Sequence, residues 1–315
     1  MRVVVALGGN ALLARGEQPD ASAQEHRVQT AAAALTRLAR DHELVVTHGN
    51  GPQVGLLALE SAADPLLAHP YPFDVLTAQT EGMIGYWLAQ ALDNASIDAA
   101  VGSFPGRSAV ALITRTIVDP DDPAFGRPTK FVGPVYSREQ ASDLGRRSGW
   151  NFSRDGDGWR RVVPSPQPVS IWELADIRQL LGAGRTVICA GGGGVSVAYA
   201  DEGSGVHRLR GVEAVVDKDL TASLLARELS ADALLLLTDI DGVYRDFGTA
   251  GQQLIRHASA QELRSRTFPA GSMGPKIDGV CSFVEARPGT FAGIGRLDEA
   301  EDLLARRSGT IVSPG

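Results

Sequence analysis

Four apolar stretches of strand length are each followed at once by a turn that contains glycine. The turns are LGGN (7–10), HGNG (48–51), AGGGG (190–194) and TDIDG (238–242). Strands that alternate with helical segments form parallel βαβ units, and ligands of such sheets bind beyond the carboxyl ends of the strands. The chain is therefore expected to adopt an α/β fold, a three-layer αβα sandwich with a mostly parallel central sheet. Its glycine turns should meet at one edge.

Local patterns predict where several elements begin and end. Ser22 and Glu25 have the spacing of a capping box, which predicts a helix that runs to Arg40. The apolar run Ser108–Val118 predicts one strand, and Val212–Val216 predicts a strand-to-helix junction at Lys218. Pro275 is expected at the first position of the helix that carries Lys276.

The segment from 119 to 168 interrupts this alternation of strands and helices. It contains seven of the 17 prolines and little periodicity, yet also two tryptophans, Trp150 and Trp159. Long segments of this kind are commonly lids or binding excursions, and the aromatic residues argue against disorder. We therefore expect one domain, 1–315, with an inserted lid subdomain at 119–168.

Composition excludes several classes of protein. The 315 residues carry a net charge of −7 with a pI near 5.4, which disfavours a nucleic-acid surface. The sequence has neither an apolar run of 18 residues nor a signal peptide, so no membrane association is expected. Cys189 and Cys281 lack metal-ligand spacing and are expected to be buried free thiols of a cytoplasmic protein.

Lysine is rare in this chain, and its positions are informative. Of the 30 Lys and Arg residues only Lys130, Lys218 and Lys276 are lysines. Lys218 and Lys276 are predicted in first helical turns, where the helix dipole opposes a cation. A local charge cluster with Asp217 and Asp219 would explain this placement, but so would a polyanion bound between two helix N-termini, and the glycine turns favour the second explanation.

These residue types suit phosphoryl transfer. The transferred group spreads negative charge over three oxygens, so catalysis is mostly positioning and electrostatic stabilisation. Asp219, Asp239 and Asp241 are candidates to orient lysines or to bind Mg²⁺. Neither a P-loop nor a G-x-G-x-x-G dinucleotide fingerprint is present.

Several segments in order resemble the carbamate kinases of the amino acid kinase superfamily. They include VVALGGNAL, VTHGNGPQVG, QTEGMIGYWLAQAL, PTKFVGP, WRRVVPSPQP, CAGGGGV, GVEAVVDKD, LLLLTDIDGVY and GSMGPKI. PTKFVGP, VVPSPQP and DKD are the more specific segments. The resemblance implies a homodimer that transfers a phosphoryl group reversibly between ATP and carbamate, and runs toward ATP formation in arginine catabolism. It implies Mg²⁺ carried by ATP or ADP, with no assigned protein ligand.

The resemblance also implies roles for individual residues. The catalytic group would be Lys130, Lys218, Lys276 and Asp219. The residues that hold the substrate and phosphate would be Gly8, Gly9, Asn10, Gly49, Asn50 and Gly51. The nucleotide-binding residues would be Gly192, Gly193, Asp217, Thr238, Asp239, Val243, Tyr244, Met273 and Gly274.

Two alternatives remain open at this point. One is another phosphotransferase of the superfamily, an acyl-amino-acid or nucleoside monophosphate kinase, although such kinases commonly carry a lysine where this chain has Ala6. The other is a catalytically silent binding protein on the same fold. The chain departs from the family at Ser196, where a proline is frequent nearby, and in its long 201–211 loop.

Overall fold

The computed structural model describes residues 1–13, 17–18, 20–99, 108–201, 207–268 and 273–315. Within these ranges the chain forms nine α-helices and 17 strands. The helices are α1 (Ala21–Asp41), α2 (Gly51–Ala63), α3 (Phe73–Ala99), α4 (Arg138–Ser148), α5 (Leu174–Gly182), α6 (Lys218–Glu228), α7 (Ala260–Arg264), α8 (Met273–Ala286) and α9 (Ala300–Leu304). The strands are β1 (Arg2–Leu7), β2 (Glu43–His48), β3 (Ala109–Ala111), β4 (Arg115–Val118), β5 (Lys130–Tyr136), β6 (Asn151–Asp155), β7 (Gly158–Val163), β8 (Pro168–Ile171), β9 (Thr186–Ile188), β10 (Val195–Asp201), β11 (His207–Gly211), β12 (Ala233–Thr238), β13 (Tyr244–Arg245), β14 (Gln253–Leu254), β15 (His257–Ser259), β16 (Phe291–Arg296) and β17 (Thr310–Ser313).

An eight-stranded sheet in the order β15-β17-β16-β12-β1-β2-β9-β3 forms the centre of the molecule. All neighbours are parallel except β16 and β17. The four strands that precede the glycine turns, β12, β1, β2 and β9, are adjacent in this sheet. The expected fold class, and the meeting of the four turns at one sheet edge, are confirmed.

The alternation of side chains along β1 shows why helices cover both faces of the sheet. Val4 and Ala6 belong to a core cluster with residues of α5, α6, α7 and α8. Val3, Val5 and Leu7 belong to a second cluster with residues of α1, α3 and α9. Successive side chains of a strand point to opposite faces, so an entirely apolar strand needs a cover on each side.

A second sheet, in the order β11-β10-β4-β8, lies beyond the end of the first. The prediction of one strand over Ser108–Val118 is wrong, because the chain leaves the eight-stranded sheet after β3 and joins the second sheet as β4. The chain makes the same change between β9 and β10, so that β3 pairs with β9 and β4 pairs with β10, both in parallel. An apolar run does not reveal such a crossing between sheets.

Three other boundaries differ from the predictions. Helix α1 begins after Asp20, without a side-chain cap, so the Ser22–Glu25 capping box is wrong. Residues 212–216 are irregular, with only 214–216 buried, and Lys218 begins α6 after them. Pro275 is the third residue of α8, not the first, and Lys276 is the fourth.

The segment from 119 to 168 folds into an antiparallel sheet, β5-β7-β6, together with α4. A complete capping box at Ser137 and Gln140 starts α4, and Gly149 in the left-handed region ends it. Edge-to-face packing of Tyr136 and Phe152, with ring centroids 5.6 Å apart, joins β5 to β6. These contacts give the proline-rich segment regular structure of its own.

Both cysteines are buried free thiols, as expected. Among the helices of the described ranges, none has the length and apolar character that crossing a membrane requires.

The three-stranded sheet rests on α2 through two glycines. A Cβ atom at Gly55 would lie 2.2 Å from the Cα of Gly133 in β5, a distance that real structures do not tolerate. The contact is between backbones, so no side-chain rotation can relieve it. The position of β5, and of Lys130 at its start, therefore requires glycine at position 55.

We expect Gly55→Ala to lower the free energy of unfolding by about 1–3 kcal/mol, because overpacking must separate α2 from β5. Urea denaturation followed by circular dichroism measures this. Gly182→Ala is the matched control, since no atom lies within 4 Å of a Cβ there, and should change stability by less than about 0.5 kcal/mol. Equal stabilities of the two variants would contradict the packing argument.

Candidate active site

A cavity of about 890 Å³ opens at the carboxyl ends of β12, β1 and β2. Most of the sequence-predicted site residues line it. They are Lys130, Lys218, Lys276, Asp219, Gly8, Gly9, Gly49, Asn50, Gly51, Gly192, Asp217, Thr238, Asp239, Val243, Tyr244 and Met273. The structure thus brings residues from positions 8 to 276 together around one space.

Asp219 lies between two of the three lysines. Its Oδ1 atom is 2.5 Å from Lys218 Nζ, and its Oδ2 atom is 2.8 Å from Lys276 Nζ. Each oxygen of one carboxylate therefore binds a different ammonium group. Lys218 is the first residue of α6, and Lys276 is the fourth residue of α8. The two ion pairs of Asp219 therefore also join these helices.

The third lysine reaches the same place from the three-stranded sheet. Lys130, the first residue of β5, forms an ion pair with Asp217. Asp217 is also the N-cap of α6, and its Oδ1 accepts a hydrogen bond of 2.9 Å from the backbone N–H of Asp219. One aspartate thus caps the helix that carries Lys218 and holds the lysine of the neighbouring sheet.

Charge and burial compete at this cluster. Burial alone would raise the pKa of the Asp219 carboxyl, but the charges and hydrogen bonds of Lys218 and Lys276 outweigh it and hold that pKa far below its usual range. Burial lowers the pKa of Lys218, an effect that Asp219 opposes and Lys276 reinforces. Burial also lowers the pKa of Lys276, but the attraction of its ammonium group to Asp219 is larger, so that pKa is raised. The cluster concentrates positive charge in a place poor in water.

The first two glycine turns contact each other beside Lys218. A Cβ atom at Gly49 would lie 2.9 Å from Gly9 N and 3.5 Å from Lys218 Cε, so only glycine allows this approach. Gly8 and Gly49 donate their N–H groups to Leu237 and Leu7, which anchors each turn to a strand end. The side chain of Asn10 lies outside the described residues, and Asn50 donates its amide to Thr80 Oγ1 at 2.9 Å.

His48, the last residue of β2, is buried and neutral. Burial lowers its pKa to about 4, and Lys218 adds to the effect. Its Nδ1 lies 3.1 Å from the carbonyl oxygen of Gly49, so in the neutral ring Nδ1 carries the proton and donates it. The ring orients the second glycine turn and is unsuited to accept a proton at neutral pH.

Two predicted residues, Gly193 and Gly274, do not line the cavity. The carbonyl of Gly193 accepts hydrogen bonds from Thr116 and Thr221, so its contact is with the protein. Ser196, where the chain departs from the family, donates to the carbonyl of Ala214 at 3.1 Å. Residues 202–206 of the long loop lie outside the described residues.

Part of the cavity wall was not predicted from the sequence. These residues are Pro52, Val54, Phe131, Val132, Val215, Arg245, Asp246, Phe247, Arg266, Thr267, Phe268 and Pro275. The only signal for most of them is that they follow a predicted turn or neighbour a predicted lysine. Asp241, a candidate for Mg²⁺, is not in the wall and accepts a hydrogen bond from Tyr244.

Comparison with known proteins identifies the family. The model of the amino acid kinase family matches residues 1–289. The carbamate kinase of Rhizobium meliloti is 49% identical, over 99% of this chain and 93% of the relative. The chain belongs to the carbamate kinases of the amino acid kinase family. A solved carbamate kinase from Giardia lamblia bound to AMP-PNP is 35% identical, with a TM-score of 0.86 over 99% of this chain and 98% of that one.

Family membership resolves one of the open alternatives. The carbamate kinase of Escherichia coli K12 is also 49% identical, over 99% of both chains. The identity and the near-complete coverage of both chains favour carbamate kinase over the other phosphotransferases of the superfamily.

We expect Asp219→Asn to lower the free energy of unfolding by about 3–5 kcal/mol, because two buried ammonium groups lose their common partner. The folded pKa of Asp219 is depressed, so its stabilisation is present above about pH 4 and is lost as the pH falls further. Thermal unfolding at pH 7 measures the effect. Asp298→Asn, at an exposed pair with Arg296, is the control and should cost under about 1 kcal/mol. An Asp219→Asn protein as stable as this control would contradict the assignment.

Proposed function

We propose that the protein transfers a phosphoryl group reversibly between ATP and carbamate, with ADP and carbamoyl phosphate on the other side. The observation that carries this proposal is the convergence of all three lysines of the chain on Asp217 and Asp219, beside two glycine turns. Phosphoryl transfer depends on positive charge and N–H donors that are fixed in place before the reaction.

The chemistry of carbamate fits a site without a general base. A carbamate oxygen attacks the γ-phosphorus of ATP, and the bond from that phosphorus to the bridging oxygen of ADP breaks. The attacking oxygen is already anionic, so no proton has to be removed. His48 beside the turn, whose pKa is lowered to about 4, is a weak proton acceptor, which agrees with a reaction that needs no base.

Roles for the site residues follow from their positions. Gly8, Gly9, Gly49 and Gly51 would surround the phosphate of carbamoyl phosphate, and Asn10 and Asn50 would complete that set. Lys218 and Lys276 would stabilise the transferred group, with Asp219 keeping them apart and oriented. Thr238, Asp239, Val243, Tyr244 and Met273 would border the nucleotide at the other end of the cavity. Gly192 and Asp217 would lie between the two ends.

The available ligands suit Mg²⁺ that enters with the nucleotide. Within the described ranges, no group of three or more His, Cys, Asp or Glu side chains could hold a metal ion. The two central aspartates bind lysines, and the wall toward the nucleotide end also contains the carboxylates of Asp239 and Asp246. Mg²⁺ is commonly bound by one or two carboxylates together with phosphate oxygens and water. Bound in this way, Mg²⁺ would neutralise charge on the nucleotide phosphates.

The segment 119–168 would act as a lid. Lys130 reaches the cavity from this segment and is held by Asp217, so the incoming phosphate would compete with Asp217 for the ammonium group. A lid of this kind excludes water and completes the site.

The lid role predicts that Gly55→Ala raises the KM for carbamoyl phosphate, because Lys130 moves with the displaced β5. An unchanged KM would argue against a lid.

In a coupled assay of ATP formation from ADP, carbamoyl phosphate and Mg²⁺, we expect Lys130→Met, Lys218→Met and Lys276→Met each to lower kcat by at least about 10²-fold, the usual loss of one oxyanion contact. The control is Arg40→Met, an exposed residue of α1, which should keep full activity. Chelation of Mg²⁺ should abolish turnover.

Two results would contradict the proposal. Folded lysine variants with wild-type rates would remove the assignment of the lysines. Turnover of acetylglutamate or UMP with ATP, with no reaction of carbamoyl phosphate, would favour another activity of the superfamily.

A homodimer is supported by one face of α3. Val75, Tyr86 and Ile97 are spaced 11 residues apart, which is close to three helical turns, and they are 37%, 58% and 55% exposed. Exposed aromatic and large aliphatic side chains on a common helix face are compatible with contact to a partner chain. We expect light scattering to give twice the chain mass of 33.2 kDa, and Tyr86→Glu to give the single mass. Glu60→Gln, an exposed change on α2, is the control; a monomeric wild type would exclude the dimer.

We also place the protein in the cytoplasm, working toward ATP at the end of arginine catabolism. Cells that lack it should gain less ATP from arginine, and an unchanged yield would oppose this role.

A further inference from the structure

Glu81, near the middle of α3, is a buried carboxyl group outside the cavity wall. Its exposed fraction is 3%. Oε2 accepts a hydrogen bond of 3.0 Å from the backbone N–H of Thr114, and the N–H of Gly191 faces the same carboxyl group. Oε1 is buried and has no hydrogen-bond partner in the structure. A buried carboxylate with one unpaired oxygen is costly, so this arrangement needs an explanation.

The two backbone partners of Glu81 lie where the chain changes sheets. Thr114 is on the crossing from β3 to β4, and Gly191 is on the crossing from β9 to β10. These crossings run side by side, because β3 pairs with β9 in one sheet and β4 with β10 in the other. Glu81 binds both crossings at the point where the sheets separate.

The second crossing is the tetraglycine turn, and it contacts the phosphate end of the cavity. A Cβ atom at Gly191 would lie 2.3 Å from His48 Nε2, and one at Gly192 would lie 2.2 Å from Asn50 Nδ2. Gly193 accepts a hydrogen bond of 3.1 Å from Thr221 in the first turn after Lys218. A shift of this turn would therefore move both the HGNG turn and the start of α6.

The surroundings of Glu81 favour its uncharged form. Burial raises the pKa of Glu81 well above its ordinary value, and Glu173 adds to this, while the N–H groups of Thr114 and Gly191 oppose it. The other titratable groups on facing elements include Cys189, whose pKa is also raised by burial, and His48, which is neutral. Arg115, the cation next to Thr114, is ion-paired with Glu173 and does not pair with Glu81.

We propose that Glu81 is a protonated positioning residue, whose hydrogen bonds at the sheet crossing fix the tetraglycine turn and thereby the N–H donors and Lys218 around the phosphate. The carbonyl oxygen of the acid accepts from Thr114, and the proton resides on Oε1, so no charge is buried. This inference rests on the proposed function, since the phosphate in question is that of carbamoyl phosphate.

Two variants separate charge from shape. Glu81→Gln keeps the acceptor oxygen and the neutral state, so kcat and both KM values should remain within about threefold of wild type. Glu81→Leu keeps the volume but loses the acceptor, and should raise the KM for carbamoyl phosphate by about tenfold or more, as expected when a phosphate site is displaced. Glu60→Gln, exposed on α2, is the control. A Glu81→Leu protein with unchanged KM overturns the proposal.

The protonation state is measured without turnover. The infrared difference between wild type and Glu81→Gln at pH 7 should contain the carbonyl band of a carboxylic acid, and a carboxylate band in its place overturns the proposal. The folded pKa is raised, so the stability of wild type relative to Glu81→Gln should be greatest below about pH 4.5 and should decrease as the pH rises above that value.

Binding of inorganic phosphate, measured by calorimetry, distinguishes this inference from the proposed function. Weaker phosphate binding by Glu81→Leu than by Glu81→Gln supports the positioning role even in a protein that does not turn over carbamoyl phosphate. Equal binding by the two variants overturns it, whatever the protein phosphorylates.

Discussion

The bridge from Asp219 to Lys218 and Lys276 is the interaction on which the rest of the site depends. Two ammonium groups at the starts of two helices would repel each other, and the helix dipoles would add to that repulsion. A carboxylate that gives one oxygen to each allows them to remain close together in a poorly hydrated space. Asp217 extends the arrangement by capping α6 and pairing with Lys130. The same contacts therefore hold α6, α8 and β5 together and assemble the charge that a transferred phosphoryl group requires.

The architecture places donors and charge at one edge by different means. The glycine turns follow adjacent strands β12, β1, β2 and β9, so they meet because the strands are neighbours. The lysines come from elements that are distant in sequence, and only the packing of α6 on α8, and of β5 on α2, brings them to the same cavity. Ala6 in β1 agrees with this arrangement. The glycine turn after β1 allows the backbone to approach a phosphate closely, while the positive charge comes from lysines of α6, α8 and β5.

Much of this could be predicted from the sequence, because the relevant signals are local. Apolar strands and glycine turns predicted the fold class, and three isolated lysines indicated a charged centre. The resemblance to the carbamate kinases supplied most of the 16 predicted residues that line the cavity. The crossing between sheets at Thr114 could not be predicted, since both strands are apolar and their partners are far along the chain. The position of Phe247 and Arg266 in the cavity wall could not be predicted either, because it depends on how loops fold back over the strand ends. Glu81 lies within a segment that resembles the family, but only its burial and unpaired oxygen distinguish it from an ordinary helix residue.

The scarcity of lysine has a practical consequence for the chemistry of this protein. All three lysines of the chain line the cavity, and their side chains are between 12% and 32% exposed. The outer surface presents arginine, which does not react with most reagents directed at amines. A modification of lysine side chains will therefore report on the cavity, and coupling the protein to a solid support through a lysine would obstruct that cavity.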